Sequence, residues 1–543
     1  MKNDMNTEIR NPKAEHGVGA AAVSTVKSVA QPRQRSDFGL RISAFFRPSD
    51  FVLRILPLLA LALAGCAVGP DYHRPAALGT NVMPATFTGV AATNVGSWKP
   101  AEPSAHLPRG AWWEIFGDAD LNRLEAAATT NNQQLAAAYA NFEQARALVN
   151  VSRSGYFPQL SASPAFTRQR TSANQFRSTT QGSTFNNFTM PLDASWELDL
   201  WGRVRRQVEG SRARFTASAD DLEATKLAIQ AEVATDYFTL RSLDEQYQLL
   251  QETVVAYRRS LDLTRNRRKG GIATELDVSQ AETQLASTEA EIPAVQLQRA
   301  NVLHALAVLC GQAAPTFALG TKNSALAAAH KAFDGGPGVP VSVPSELLER
   351  RPDIASAERL MAAANADIGV AYAAFYPRVT INGFAGYQSF DLSTLFNWES
   401  RAWAFGPSLS LPIFTGGRNR AQLAAARAAH DVTVANYRQT VLAAFQDVED
   451  QLAAQRLLAE QYEKENAALK SSRRTLDISL TRYKGGIITY LEVAIAQSSS
   501  LAHEQTVVRL SAQRLAAAVA LIKALGAGWS PQENNMSAAS GSH

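Results

Sequence analysis

The chain has 543 residues, of which 46% are hydrophobic and 19% are charged. Its 53 basic and 49 acidic side chains leave a net charge of +4, too small an excess to indicate a nucleic-acid partner. Only two cysteines, Cys66 and Cys310, are present, which excludes a fold held together by a framework of disulfides.

The first predicted element is a secretory signal that ends at Cys66. An apolar stretch over residues 51–64 follows Arg47 and leads into Leu63-Ala64-Gly65-Cys66. The stretch is shorter than the ~20 residues that a membrane-spanning helix needs, and its end is typical of a lipoprotein processing site. We therefore predict that Cys66 becomes the lipid-bearing N-terminus of a bacterial lipoprotein. The alternative is a buried helix with an inert cysteine, and the atypical polar residues before the signal leave the true start codon open.

The remainder of the chain contains one pattern twice. Lys269-Gly270-Gly271-Ile272 recurs 215 residues later as Lys484-Gly485-Gly486-Ile487. At an offset of 219, Tyr156-Phe157-Pro158 resembles Phe375-Tyr376-Pro377. Internal repetition over such a length indicates a duplicated architecture. Each copy is predicted to contain a short helix, a pair of strands and a long helical hairpin, in that order.

Each copy begins with a short predicted helix and later contains a very long one. The short helices are predicted over residues 121–152 and 353–374, the second with Pro352 in its first turn. No glycine or proline occurs over residues 211–269 or 418–484, which could extend ~90 and ~100 Å as helices. Apolar residues recur in both runs at intervals of three and four, so we predict coiled-coil packing.

Each long helix is predicted to end at a pair of glycines, after which a second helix returns. Gly270-Gly271 and Gly485-Gly486 are expected to supply the positive φ angles that close a helix and reverse the chain. The returning helices start near Ile272 and Ile487, and Pro293 is expected to interrupt the first of them. Each copy therefore forms a helical hairpin with a tight tip.

Between the short and the long helix, each copy alternates apolar and polar residues as a β-strand does. The alternation covers residues 188–200 and 403–413, and each run pairs with an earlier candidate strand, 158–170 or 377–390. The chain thus has four predicted strands. They could form the half-buried face of a soluble sheet, but behind a lipoprotein signal their apolar face favours the wall of a transmembrane β-barrel.

Four strands are too few to close a barrel. Lipid does not tolerate an open sheet edge, because each unpaired backbone group costs several kcal/mol there, and the smallest known barrels have eight strands. Strands that span the membrane would therefore require several copies of the chain, in a number that the strand count leaves open.

These elements divide the chain into six predicted segments. They are a signal peptide with an atypical extension (1–65), a lipidated N-terminal segment (66–112), the first repeat (113–311), a linker or equatorial segment (312–345), the second repeat (346–528) and a polar tail (529–543).

The motifs together resemble the TolC-like outer-membrane efflux factors, in the lipoprotein branch that serves resistance-nodulation-division (RND) pumps. The resemblance covers about residues 63–528. The segments that carry it are Cys66-Ala67-Val68-Gly69-Pro70-Asp71-Tyr72, Trp112-Trp113, Glu197-Leu198-Asp199-Leu200-Trp201-Gly202-Arg203, Leu347-Leu348-Glu349-Arg350-Arg351-Pro352-Asp353-Ile354, Phe375-Tyr376-Pro377 and Pro412-Ile413-Phe414-Thr415-Gly416-Gly417-Arg418.

The resemblance implies a mostly α-helical, internally duplicated chain that forms a homotrimer. Three chains with four strands each would make a 12-stranded transmembrane β-barrel, continuous with a long periplasmic α-helical barrel. The implied function is the outer-membrane channel of a tripartite efflux system, driven by an inner-membrane RND pump through a periplasmic adaptor protein. No catalytic, metal-binding or nucleotide-binding motif is present in the sequence, so we expect neither an enzyme nor a cofactor beyond the lipid on Cys66.

Carboxylates on the long helices are the predicted periplasmic gate. Asp447 and Asp450 share one helix face, since they are three residues apart. In the family, aspartates at the matching place line a constriction near the narrow periplasmic end. Glu232 stands at the place of Asp447 in the first copy, and Asp236 is a weaker candidate. Crowding of these carboxylates in a trimer should raise some of their pKa values; the alternative is an ordinary solvated helix face.

The hairpin tips are the predicted contact with the adaptor, as the resemblance implies. Basic side chains and glycines also favour helix C-termini, so helix capping is the alternative role for the same residues. The candidates are Arg267, Lys269, Gly270, Gly271, Arg482, Lys484, Gly485 and Gly486.

Two other functions stay open at this point. One is an outer-membrane duct for type I protein secretion, and the other is a periplasmic coiled-coil scaffold without a channel. The regular alternation over residues 188–200 favours a channel over a scaffold. The sequence does not indicate whether the cargo is a drug, a toxic organic compound or a metal ion.

Overall fold

The structure, a computed structural model, describes residues 67–78, 110–172, 182–322, 325–334 and 350–527. The chain divides into two compact units, Met1–Leu63 and Ala64–His543, and all described residues belong to the second. The predicted signal, Cys66 and the polar tail lie outside the described residues, so their assignments stay predictions.

The described residues form eight α-helices and five β-strands. The helices are α1 (Ala119–Asn131), α2 (Gln133–Ser154), α3 (Arg203–Lys269), α4 (Glu275–Leu309), α5 (Ala325–Asp334), α6 (Pro352–Ala373), α7 (Arg418–Lys484) and α8 (Tyr490–Ala524). The strands are β1 (Gln159–Ala162), β2 (Ala165–Arg170), β3 (Thr184–Leu198), β4 (Arg378–Ser389) and β5 (Arg401–Ser410). The fold is therefore mostly helical, and the order of short helix, strands and long helical hairpin occurs twice.

The long helices α3 and α7 each contain 67 residues. Helix α7 covers the whole of the predicted run, whereas α3 begins eight residues before the predicted one, because Gly210 lies inside it. A Cβ atom at Gly210 would lie 3.5 Å from the carbonyl oxygen of Ala363 in α6, so the absent side chain allows the two helices to approach closely.

The returning helix α4 is continuous through Pro293, and the predicted interruption there is wrong. Proline removes one backbone hydrogen bond and costs an isolated helix about 3 kcal/mol. Helix α4 is bonded to α3 on both sides of this position: Arg258 of α3 donates to Glu289 at 2.7 Å, and Arg299 of α4 donates to Asp244 at 2.6 Å. This packing against α3 outweighs a single lost bond.

The first short helix is broken in two by Asn132, a break that the sequence pattern did not predict. The side-chain oxygen of Asn132 accepts hydrogen bonds from the backbone N–H groups of Gln134 and Leu135, at 2.9 and 3.0 Å. Its amide nitrogen donates to the carbonyl oxygen of Leu309 at 2.8 Å. Asn132 thus caps α2 and joins it to the end of α4.

The strands form one antiparallel sheet in the order β1-β3-β4-β5, with β2 also paired to β3. The first predicted strand is thus split into β1 and β2 along one edge of β3, and the sheet is four strands wide. Side chains of one face are apolar and open to the surroundings: Trp403, Phe405 and Leu409 are 78%, 74% and 68% exposed. Among the described residues, β5 and the β1–β2 edge each pair on one side only.

The helices bury three apolar clusters. The largest contains Trp112, Phe116 and Phe238, at the level where α1 meets α3 and the ends of α4 and α8. A second surrounds Tyr437, and a third contains Tyr483 and Tyr490 next to the hairpin tips. The segment predicted as a linker contributes α5 to the largest cluster, since Leu326 and Ala329 are buried in it. No helix among the described residues has both the length and the apolar character to cross a membrane.

Candidate functional sites along the helical hairpins

The two hairpin tips share one backbone geometry. Helix α3 ends at Lys269, and Gly270 has a right-handed φ of −81°, while Gly271 has φ +76°. In the second copy, Gly485 has φ −75° and Gly486 has φ +78°. The expectation that both glycines of each pair adopt positive φ is therefore wrong, because one left-handed residue is enough to end a helix.

Arg267 joins the two tips within one chain. Its Nη1 donates a hydrogen bond of 2.8 Å to the carbonyl oxygen of Lys484, and its guanidinium lies 4.8 Å from the ring centre of Tyr483. The hydroxyl group of Tyr483 in turn donates to Thr264 Oγ1 at 3.2 Å. A charged hydrogen bond and a cation–π contact thus hold the end of α7 against the end of α3.

Asp277 connects the starts of the two returning helices. It forms a capping box with Thr274, and its Oδ1 accepts a hydrogen bond of 3.2 Å from the backbone N–H of Tyr490. Although burial acts in the opposite direction, these hydrogen bonds hold the pKa of Asp277 below its usual value.

Polar contacts between α4 and α8 continue away from the tips at intervals of seven residues. Ser498 donates to Gln284 at 3.1 Å, and Gln505 Nε2 donates to Glu291 at 2.7 Å. A seven-residue spacing is the repeat of a left-handed coiled coil. The apolar periodicity in the sequence predicted coiled-coil packing, but it did not indicate that α4 would pair with α8.

Seven of the eight predicted adaptor-contact residues are exposed at the tips. These are Lys269, Gly270, Gly271, Arg482, Lys484, Gly485 and Gly486. Arg267 is half-buried, since it is engaged by the second tip. The tips therefore present a basic, glycine-containing surface, and contact with an adaptor stays a prediction.

The predicted gate carboxylates differ in their partners. Asp447 is exposed and forms an ion pair of 3.0 Å with Arg351, whose side chain is 12% exposed. Arg351 also binds Asp353 through two hydrogen bonds, at 3.1 and 2.7 Å. Asp450, also exposed, accepts a hydrogen bond of 3.3 Å from Gln446. Arg351, which belongs to the Arg350-Arg351-Pro352-Asp353 motif, had not been connected with the gate.

The position of these carboxylates along the helix differs from the expectation. Asp447 precedes Gly485 by 38 residues, which is about 57 Å of helix. Glu232 precedes Gly270 by the same number, so it lies equally far from its own tip. The carboxylates therefore lie at mid-helix, level with the start of α6, rather than at the tips. Their role in a gate stays a prediction.

Glu232 and Asp236 lie one helical turn apart on α3. Glu232 is exposed and Asp236 is half-buried. Burial, and then the charge of Glu232, raises the pKa of Asp236 to about 6. Asp236 therefore changes its charge closer to neutral pH than an ordinary aspartate does.

Residues 67–78, just after Cys66, lie along the helices. The backbone N–H of Val68 donates to the carbonyl oxygen of Trp201 at 3.0 Å, and Asp71 pairs with Arg206 at 2.7 Å. Farther along, Arg74 pairs with Glu358 at 3.4 Å. These contacts start at the junction of β3 with α3 and continue onto α6, which fixes the direction of the segment.

Two buried ionisable groups near α1 were missed at the level of sequence. Arg241 is 1% exposed and pairs with Asp244 at 2.9 Å and with Asp120 at 3.3 Å. Glu125 is fully buried, and neither of its carboxylate oxygens has a hydrogen-bond partner among the described residues. Among the same residues, no three histidine, cysteine or acidic side chains are grouped to hold a metal ion.

The chain matches the family described as "Outer membrane efflux protein" over residues 125–312 and 343–527. Outer membrane protein OprJ of Pseudomonas aeruginosa is 36% identical over 480 residues, which cover 87% of this chain and 95% of OprJ. The solvent efflux pump outer membrane protein SrpC of Pseudomonas putida is 34% identical, over 88% of this chain and 99% of SrpC.

Solved structures of outer-membrane channels have the same fold. The channel OprN superposes with a TM-score of 0.76 at 30% identity, over 86% of this chain and 100% of OprN. The channel CusC superposes with a TM-score of 0.72 at 30% identity, over 85% of this chain and 100% of CusC. The family match and the extent of these similarities lead to one conclusion: the chain belongs to the outer membrane efflux protein family.

Proposed function

We propose that the protein is the outer-membrane channel of a tripartite efflux system, through which small molecules pass passively from the periplasm to the exterior. The observation that supports this proposal is the combination of a sheet that has one exposed apolar face with 67-residue helices in a member of the efflux family. An inner-membrane RND pump supplies the energy, and a periplasmic adaptor connects pump and channel. The relatives are channel proteins, and we infer no catalytic role.

A homotrimer accounts for the unpaired edges of the sheet. In lipid, β5 of one chain needs a neighbouring strand, and the β1–β2 edge of a second copy can supply it. Three sheets of four strands then close a 12-stranded barrel, and the three sets of long helices continue it into the periplasm. This number is supported by the resemblance to TolC-like channels and by the width of the sheet.

The tips and the mid-helix carboxylates receive separate roles in this proposal. The exposed tip residues contact the adaptor; they are Lys269, Gly270, Gly271, Arg482, Lys484, Gly485 and Gly486. Asp447 and Asp450, with Glu232 and Asp236, contribute an acidic lining at mid-helix that attracts cations. Arg351 limits this effect, because it neutralises Asp447 in each chain.

The lipid anchor fits the position of the N-terminal segment. A Cβ atom at Gly202 would lie 2.8 Å from the Cα of Ala67, so this segment begins against the junction of β3 with α3. A lipid on the preceding residue, Cys66, would then enter the membrane at the level where the barrel ends. Lipid anchoring of the channel at the periplasmic face of the outer membrane is therefore part of the proposal.

Small organic molecules are the proposed cargo class, since relatives include a solvent efflux protein and toluene efflux proteins. The test is the accumulation of a fluorescent dye in cells that lack the gene and in cells complemented with it. Deletion should raise dye accumulation and sensitivity to toluene, and the intact gene should reverse both. Accumulation that is equal in the deleted and complemented cells, with the protein present in the outer membrane, would contradict the proposal.

A further inference from the structure

A cavity of about 370 Å³ lies where the strands meet the long helices. It is bounded by the end of β3, the start of β4, the end of α6 and the starts of α3 and α7. Five charged side chains line it: Glu197, Asp199, Arg203, Arg378 and Arg418. Nothing in the proposed channel function uses this cavity.

In the first copy of the repeat, the charges at this junction are balanced. Glu197 accepts two hydrogen bonds of 2.8 Å from the guanidinium of Arg203. Asp199 accepts from Nε of Arg205 at 3.3 Å and from the backbone N–H groups of Val204 and Arg205 at 2.9 Å each. Two carboxylates thus satisfy two arginines, and both are fully engaged.

The second copy keeps the arginines and lacks the carboxylates. At the repeat offset of 215 residues, Arg418 and Arg420 stand at the places of the two arginines. The places of the two carboxylates are taken by Pro412 and Phe414. The internal duplication therefore shows directly which negative groups the second copy is missing.

The cavity consequently has an excess of positive charge. Arg418 has no carboxylate partner among the described residues, and it is exposed. Arg378 approaches Glu197 only at 3.6 Å, and Glu197 is already bound to Arg203. A planar guanidinium binds the oxygens of a phosphate through paired hydrogen bonds. Two arginines that line one cavity and make few hydrogen bonds to carboxylates therefore form a suitable phosphate-binding site.

We propose that Arg378 and Arg418 bind a phosphate group in this cavity. The phosphate replaces the carboxylates that the second copy lacks. Its source is either the headgroup of a phospholipid or a soluble phosphate. The surroundings favour the headgroup: Trp201 packs against Tyr376 with ring centres 4.9 Å apart, and Phe414 is 90% exposed. Such aromatic side chains are typical of the membrane–water interface.

The test measures binding to the purified full-length protein at constant ionic strength. Inorganic phosphate is titrated in one arm, and mixed micelles of phosphatidylglycerol or of uncharged diacylglycerol are used in the other. Apparent affinity is read from the shift of the thermal unfolding midpoint. The variants are Arg418→Gln and Arg378→Gln, and Arg420→Gln is the matched control, since Arg420 is exposed on the same helix but does not line the cavity.

The parent protein and Arg420→Gln should bind with equal affinity, and each cavity variant should bind at least tenfold more weakly. A response to phosphatidylglycerol alone identifies a lipid headgroup, and a response to inorganic phosphate identifies a soluble ligand; both support the site. Equal affinity in Arg418→Gln and the parent, or no response to either probe, overturns it. Because the assay does not involve conduction, its outcome is independent of the proposed channel function.

Discussion

Glu125 should make the protein less stable as the pH rises. The side chain is fully buried in α1, and its carboxylate oxygens have no hydrogen-bond partner among the described residues. Burial raises the pKa of Glu125 from 4.5 to about 9, so the folded protein keeps it neutral at pH 7. The nearby thiol of Cys310 is also buried, and burial followed by the charge of Glu125 raises its pKa to about 11.

The sign and the size of the effect follow from linkage. A carboxyl group whose pKa is raised on folding contributes its full stability below the unfolded pKa and loses it as the pH rises toward the folded pKa. Each pH unit in that window costs about 1.4 kcal/mol. Between pH 4.5 and pH 7 the loss is about 3 kcal/mol, which is a few degrees in the unfolding midpoint.

The variant Glu125→Gln removes this titration with little change of shape. Thermal unfolding is followed by circular dichroism at 222 nm, at intervals from pH 5 to pH 9. As the pH rises, the unfolding midpoint of the parent should fall progressively below that of the variant. Glu143→Gln is the control, because Glu143 lies on the adjacent helix α2 and its side chain is 41% exposed. Parallel pH profiles for the parent and Glu125→Gln would refute the assignment of a buried neutral carboxyl group.

Three further predictions concern the helical hairpins. Gly271→Ala should cost about 1 kcal/mol in unfolding free energy, since its φ is +76°, whereas Gly270→Ala, at φ −81°, should be nearly neutral; equal costs would contradict the tip geometry. Arg351→Gln should free Asp447 from its ion pair and increase the cation selectivity of the channel, measured as a reversal potential in a salt gradient. An unchanged reversal potential would show that Asp447 does not line the pore. Because its pKa is lowered on folding, Asp277 stabilises the tip at pH values above its unfolded pKa, and this stability is lost as the pH falls through its folded pKa. Asp277→Asn should therefore reduce the pH dependence of hydrogen exchange at the tips in the acid range. An unchanged pH dependence would contradict this prediction.

Local patterns in the sequence were enough to predict most elements. Helix α7 occupies the glycine- and proline-free run of residues 418–484, because nothing in that run interrupts helical hydrogen bonds. The alternation over 188–200 and 403–413 likewise predicted β3 and β5, since a side-chain period of two is a property of the strand itself.

The errors arose where packing between distant segments decides the outcome. Helix α3 tolerates Gly210 because α6 lies close to it, and α4 tolerates Pro293 because it packs along α3. The split of the first strand into β1 and β2 and the break at Asn132 depend on partners that no local pattern identifies.

The candidate sites were predictable in composition but not in their partners. The glycines and basic residues of the tips were evident from the repeat. The contacts of Arg267 with the second tip and of Arg351 with Asp447 join residues 217 and 96 positions apart. Such contacts follow from how the helices lie side by side, which a single sequence does not specify.

The central claim is that several copies of this chain close one pore across the outer membrane. Its most direct test is single-channel recording in planar lipid bilayers, with purified protein whose mass in detergent has been determined. We predict a species of three chains that gives stepwise, ohmic conductance. A single-chain species that leaves the bilayer electrically silent would contradict the account.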